Sequence, residues 1–413
     1  MLRDVVVLGA GMVGVSVAWH LARRGHAVTL VDRRAPGCET SSGNAGLIQR
    51  EAVRPRPFPR DVATLWRLLP NHGIDVRYRG AAVLAAARAL AGYWHNSAPK
   101  AFARIVPEYA SLIRHCTDEH AVMIEHAGAD ALVRKDGWRY GFRSQSVFDH
   151  QLELAEEAHD RFGADYRMLD QAGLHQCEPA LSDRLIGAIE WTNSWSVVDP
   201  RALVQAYAAA FASLGGRVVQ AEASALTQVG GTWRLSTDHG AFSGSDLVLA
   251  AGPWSSEWLA RLGYRLPMFY MRGYHMHYAA LGGQVLNKPV LDYEKGYLLA
   301  PKRAGIRLTT GAELNSLHAP PLPGQLQAAE HEARQIFPLG ERLDPSAWLG
   351  ARPCMADMKP VIGPAPRHSG LWFALGHAHQ GFTSGPLTGR LIGEMMDGEK
   401  PLVDMAPFRA DRF

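Results

Sequence analysis

The chain has 413 residues, 47% of them hydrophobic and 20% charged, with 43 lysines and arginines against 40 aspartates and glutamates. That length suggests two or three domains and a core large enough to need no disulfide or metal staple, and the composition excludes disordered and fibrous classes. A formal charge of +3 gives no basis for nucleic-acid binding, and four cysteines without a CxxC pair read as reduced residues of a cytoplasmic protein.

The first forty residues are the most informative. Asp4-Val5-Val6-Val7-Leu8 is a short β-branched run of the kind buried on both faces of a parallel sheet. Gly9-Ala10-Gly11-Met12-Val13-Gly14 follows, and Val13, Val17 and Leu21 then recur at helical spacing up to Arg23-Arg24-Gly25. A second run, Ala27 to Val31, ends in Asp32. Strand, GxGxxG, helix, strand and acid in that order form a dinucleotide-binding unit. Gly9 allows the tight turn, Gly11 the approach of a pyrophosphate, and Gly14 the close packing of helix on sheet. The helix start presents N–H groups to phosphate, and Asp32 accepts from a ribose diol. Arg33 and Arg34 follow as solvated arginines; Asp32 argues against their binding an extra ribose phosphate. The apolar stretch Val5 to Trp19 is too short to cross a bilayer, and its spaced glycines, without a preceding basic run, argue against a signal peptide.

The fingerprint alone does not separate a flavin from a nicotinamide. Thr40-Ser41-Ser42-Gly43-Asn44-Ala45-Gly46-Leu47 supplies small and hydroxyl residues that can lie along a pyrophosphate and a ring system. Asp246 to Leu249 reads as another buried strand, followed by Ala250-Ala251-Gly252-Pro253-Trp254. Near the other end, Leu371 to Leu375 runs into Gly376-His377-Ala378-His379-Gln380-Gly381-Phe382-Thr383 and a helix carrying Pro386 and Thr388. A second helix start aimed at one cofactor suits a flavin, whose N1–C2=O edge becomes negative on reduction.

This ordered set resembles the glycine oxidase and D-amino-acid dehydrogenase group of FAD-dependent amine oxidoreductases over nearly the whole chain. Val198-Asp199-Pro200, Gly350-Ala351-Arg352-Pro353 and Pro360-Val361-Ile362-Gly363-Pro364 belong to the same resemblance. It implies an α/β fold: a Rossmann-type FAD-binding domain interleaved with an α+β substrate domain carrying an antiparallel sheet. The expected partition is 1–80, 145–262 and 345–413 for FAD, with 81–144 and 263–344 for substrate. Helical patterns at Ala81–Leu90 and Lys100–His126 fit the second domain. So do strand patterns at Met268–Tyr278, Gly296–Ala300 and Ile306–Thr310.

The resemblance also implies non-covalent FAD, with Cys354 noted as a residue type that attaches flavin in some relatives. The cofactor set expected is Gly9, Gly11, Met12, Val13, Gly14, Asp32, Arg33, Ser41, Ser42, Asn44, Ala45, Gly46 and Leu47. Ala251, Gly252, Trp254, Gly376, His377, Gln380, Gly381, Phe382 and Thr383 complete it. Arg352 matches the guanidinium that would grip a substrate carboxylate with both oxygens. Tyr297 matches a tyrosine placed beside that carboxylate. His379 stands where glycine oxidase carries an arginine, and is a candidate for contacting ring or substrate.

The implied reaction is oxidative deamination of a D-amino acid by hydride transfer from Cα to flavin. Alternatives are a D-proline or D-hydroxyproline dehydrogenase, a glycine- or sarcosine-type oxidase, an NAD-dependent dehydrogenase, or a non-catalytic flavin-binding subunit. The expected partners are an amino acid and an electron acceptor, whether a quinone, an electron-transfer protein or oxygen. The expected location is cytoplasmic, with contact to the inner face of a membrane left open. The pairs His275/His277 and His377/His379 lack a carboxylate or cysteine at useful spacing, so no metal is assigned.

Overall fold

A computed structural model describes residues 2–413, and in it two large sheets carry most of the strands. The first has six strands in the order Arg217–Gln220, Ala27–Asp32, Asp4–Leu8, Asp246–Leu249, Leu371–Leu375 and Val361–Pro364. All neighbours are parallel except the last pair. Its first strand is apolar without alternation because both faces are covered. Val5 and Val7 pack with Val15 and Val17 of the helix Met12–Arg23, while Val6 and Leu8 pack with Trp233 and Leu235 of a three-stranded sheet on the other side. The helices Pro200–Ser213 and Gly381–Met396 complete the first layer. Asp199 caps the former by accepting from Ala202 N–H at 3.0 Å.

The second sheet has eleven strands and is mostly antiparallel. The long strand Met268–Ala280 pairs with Gly305–Thr309 and with Trp348–Met355, and Gly305–Thr309 pairs in turn with Tyr297–Lys302. The expected strands at 268–278, 296–300 and 306–310 are therefore present. The expected partition is corrected. Trp138–Phe142, Tyr166–Asp170 and Gly187–Trp191 form one antiparallel run in this sheet, so 166–191 does not go with the dinucleotide unit. Trp348–Met355 belongs here too, and only the chain after it returns to the six-stranded sheet. The helices Gly80–Ala85, Ala87–Asn96, Pro99–Ile113 and Cys116–Ala127 occupy the regions expected to be helical. Among the described residues no helix is long and apolar enough to cross a membrane.

Candidate active site

One cavity of about 1450 Å³ runs from the C-terminal ends of the five parallel strands of the first sheet to the face of the second sheet. Pockets for drug-sized molecules measure about 300–1,000 Å³, so this one has room for a long ligand and a second small one.

Its cofactor end is built by close backbone packing. Gly9 adopts φ +112°, and a Cβ there would stand 2.4 Å from the Ala250 carbonyl oxygen. A Cβ on Gly14 would stand 1.8 Å from the Gly9 carbonyl oxygen, which is why the helix can sit so near the strand end. Gly11, Met12 and Val13 line the cavity, and Met12 N–H donates to Ser41 Oγ at 3.0 Å. Asp32 closes the second strand with Oδ2 accepting from Ala10 N–H at 2.6 Å and Oδ1 from Arg34 N–H at 3.0 Å. Burial pushes its carboxyl pKa up, against those two N–H groups. Arg33 pairs with Glu39 at 2.8 Å and lies over the Trp254 ring at 4.1 Å, while Ala251 and Gly252 line the wall beside them.

The second helix start faces the same space. Gly376 at φ +76° turns the chain, and Gly376, His377, Gln380, Gly381 and Phe382 all line the cavity. His377 braces the turn through Nε2 to Thr388 Oγ1 at 3.0 Å. The residues that precede Met12–Arg23 and Gly381–Met396 supply no side-chain cap; Ser41 takes the Met12 N–H, and the start of each helix otherwise presents its first turn to the cavity. Gln380 Oε1 is a buried acceptor without a protein partner. Two helix starts, an acid at a strand tip and an orphaned amide oxygen are a donor and acceptor set that fits FAD.

Five of the expected contacts stand behind the wall. Gly14 serves helix packing. Ser42 Oγ accepts from Arg201 at 3.1 Å. Gly46, at φ +69°, packs against the Lys302 ammonium and the Val197 carbonyl. Thr383 Oγ1 accepts from Gln49 N–H at 3.3 Å. Tyr297 is 1% exposed and packs with Leu299 in the core behind the sheet, its hydroxyl without a partner. Side chains on a strand alternate, so its neighbour Leu298 reaches the cavity instead. Ser41, Asn44, Ala45 and Leu47 do line it, and Asn44 Oδ1 shapes the loop by accepting from Gly46 N–H at 2.7 Å.

A network that no motif announces holds that loop. Arg307 donates to the carbonyls of Asn44 (2.5 Å) and Ser42 (3.1 Å), and its Nε donates to His277 Nε2 at 3.0 Å. His277 Nδ1 donates to Asp344 at 2.8 Å, so both ring nitrogens are engaged within the protein. Lys302 donates to the Val197 carbonyl at 2.6 Å. Trp348 stacks on His275 at 4.8 Å and fills the space over Gly43 and Gly350, where a Cβ would stand 1.9 and 2.0 Å from its ring.

At the substrate end Arg352 projects from the strand Trp348–Met355. Its Nη1 donates to the carbonyls of Gly311 (3.2 Å) and Arg272 (3.4 Å), and no carboxylate pairs with it among the described residues. Burial lowers its pKa to about 10, so it stays charged at neutral pH. Burial, then the charges of Arg352 and Arg56, hold His379 neutral. A pocket of charged guanidinium beside neutral imidazole can bind and orient an anion.

The chain belongs to the FAD dependent oxidoreductase family, whose model matches residues 4–395. It is 28% identical to a D-amino-acid oxidase of Bradyrhizobium diazoefficiens, with 100% of this chain and 99% of that one covered. It is 30% identical to a D-amino acid dehydrogenase of Rhizobium johnstonii, with 99% of each covered. The fold is shared with glycine oxidase from Geobacillus kaustophilus at a TM-score of 0.74 and 23% identity, covering 100% and 99% of the two chains.

Proposed function

We propose that the protein oxidises a D-α-amino acid to its imino acid, which water converts to a 2-oxo acid and ammonia. The observation that carries this is Arg352, a buried guanidinium in the cavity with carbonyl contacts and no acid of its own. FAD, when bound, accepts the hydride that leaves Cα. Arg352 holds the substrate carboxylate in a bidentate pair and so fixes the direction in which Cα–H points. His379, held neutral, adds no competing charge. Phe269, Met271 and Leu298 line the cavity with apolar surface that keeps water from the amine. The amine enters as the free base, and no side chain is assigned to remove its proton. The names of the relatives support the D enantiomer.

The cofactor is held without a covalent link in this reading. Cys354 is buried, and its thiol is pushed up to about 12, which keeps it from acting as a nucleophile. For the electron acceptor we propose a quinone or electron-transfer partner met at a membrane surface. The exposed Val62, Trp66 and Leu69 beside the cavity mouth support such docking. Anaerobic titration of the holoenzyme with D- and L-amino acids, glycine and N-methyl amino acids tests the reading. Bleaching by D-amino acids and not their L-enantiomers is expected; bleaching by none overturns it. Dye reduction against oxygen uptake, with and without lipid vesicles, tests the acceptor.

A further inference from the structure

A second guanidinium lines the same cavity. Arg56 lies in Arg54-Pro55-Arg56-Pro57-Phe58-Pro59, where prolines on both sides restrict the backbone. The Tyr93 hydroxyl donates to the Arg56 carbonyl at 2.7 Å and anchors that strap to the helix Ala87–Asn96. The neighbouring arginines are committed elsewhere. Arg54 pairs with Glu157 at 2.5 Å, and Arg60 donates to the Trp94 carbonyl at 2.6 Å while lying over its ring. The Arg56 side chain has no ion pair, hydrogen bond or aromatic partner among the described residues.

Arg56, Arg352, His379, Tyr140 and Tyr293 all line this one cavity. Glu51 is one of the acids that line the cavity, and Asp75, another, pairs with Arg67 at 2.7 Å. Glu51 accepts from Ser194 at 2.6 Å and from Gln49 at 2.8 Å, and burial pushes it toward the neutral form. Arg352 is buried without an acid of its own, and Arg56, exposed on the same cavity, has none either, so a ligand carrying two anions can pair with both.

We infer that the substrate is a dicarboxylic amino acid, its α-carboxylate on the deep Arg352 and its side-chain carboxylate on the more exposed Arg56. This rests on the amino acid oxidation proposed above and adds the side chain to it. Aspartate and glutamate have this chemistry, and their amides are neutral controls of nearly the same shape.

The test compares D-aspartate with D-asparagine and D-glutamate with D-glutamine, using the FAD-loaded protein under anaerobic conditions. At least one acid should exceed its amide in kcat/KM by tenfold or more. Arg56→Met should reduce that ratio at least tenfold, Arg56→Lys should keep most of it, and Arg56→Glu should invert it. Binding gives an independent readout in the unmutated protein: glutarate should perturb the flavin spectrum at tenfold or more lower concentration than butyrate. Oxidation of neutral D-amino acids with acid-to-amide ratios near one, or equal binding of glutarate and butyrate, overturns the dicarboxylate inference and leaves the amino acid reading standing. Failure of every amino acid to bleach the flavin overturns both.

Discussion

A Cβ placed on Gly273 would stand 2.5 Å from Nη2 of Arg352 and 2.9 Å from its Cζ. Gly273 is buried on the strand Met268–Ala280, and its lack of a side chain leaves the room in which the guanidinium lies. The obstruction is the tip of a flexible side chain rather than backbone, so Gly273→Ala should fold and retain FAD while pushing the guanidinium aside. Expected is a tenfold or larger fall in kcat/KM, carried mainly by KM, with melting temperature and flavin content near those of the parent. An unchanged KM would show that Arg352 does not need this position to bind substrate.

Removing the guanidinium itself should cost more. Breaking a buried ion pair costs about 3–5 kcal/mol, or roughly 100-fold to several-thousand-fold in kcat/KM. Arg352→Ala should lose that much and keep its FAD, because Arg352 is assigned to substrate. Arg352→Lys should also be impaired, since an ammonium cannot reproduce a two-pronged contact. Steady-state kinetics with the best amino acid checks this, and oxidation within about threefold of the parent would remove Arg352 from the role.

Arg307 touches no cavity space yet should affect the cofactor. Its hydrogen bonds to the Ser42 and Asn44 carbonyls hold the loop that lines the flavin end. Hydrogen bonds from a charged group contribute about 1.5–3 kcal/mol, so Arg307→Met should weaken FAD binding about tenfold or more. Arg307→Lys should not restore it, because one ammonium cannot reach His277 and both carbonyls. Fluorescence titration of apoprotein with FAD measures the change, and KM for substrate in the saturated protein separates loop positioning from damage to the pocket.

Acid should weaken the same region through His120. Its ring is buried between the helix Cys116–Ala127 and the first turn of Gly381–Met396, with Nδ1 2.9 Å from the Tyr207 hydroxyl and Nε2 2.9 Å from the Phe382 carbonyl. Burial lowers its pKa from 6.5 to about 4. The unfolded chain therefore takes up the proton first, and stability present above pH 6.5 is lost as pH falls toward 4. That loss is about 1.4 kcal/mol per pH unit, or about 2 kcal/mol between pH 6.5 and 5. His120→Gln should have a shallower fall in melting temperature over this interval. Parallel curves for the two proteins would contradict the assignment.

The dinucleotide unit was legible because each of its demands is local. Gly9 needs φ +112° and Gly14 needs contact with a backbone oxygen, and both are read from spacing within one turn. The motif around Arg352 leads to a residue that lines the cavity. The place of Tyr297 was not legible, because Tyr297–Lys302 is apolar on both faces: Leu298 and Ala300 turn one way and Tyr297 and Leu299 the other, with no polar alternation to say which side is the cavity. Arg56 and Glu51 line the cavity from a proline strap and a loop, and Arg307 holds its Ser42–Asn44 wall from a strand; only tertiary packing brings the three together. Within 166–191, Gly187–Trp191 pairs with Tyr166–Asp170 and, across the helix Gln145–Phe162, with Trp138–Phe142, a long-range partnership that no local spacing reveals.

The strand order has a consequence in time as well as in space. Asp4–Leu8 finds its inner neighbour at Asp246–Leu249, and the second helix start reaches the cavity only after Leu371–Leu375 has been laid beside that strand. At about 5–20 residues per second, a ribosome needs on the order of tens of seconds between the first of these strands and the last. Until residue 249 is made the glycine turn has one flank of its sheet, and until residue 371 is passed it lacks the wall that the second helix start supplies. Flavin capture is therefore a late event in the life of each newly made chain, and a translation-arrested fragment ending before residue 371 should emerge colourless even in excess FAD.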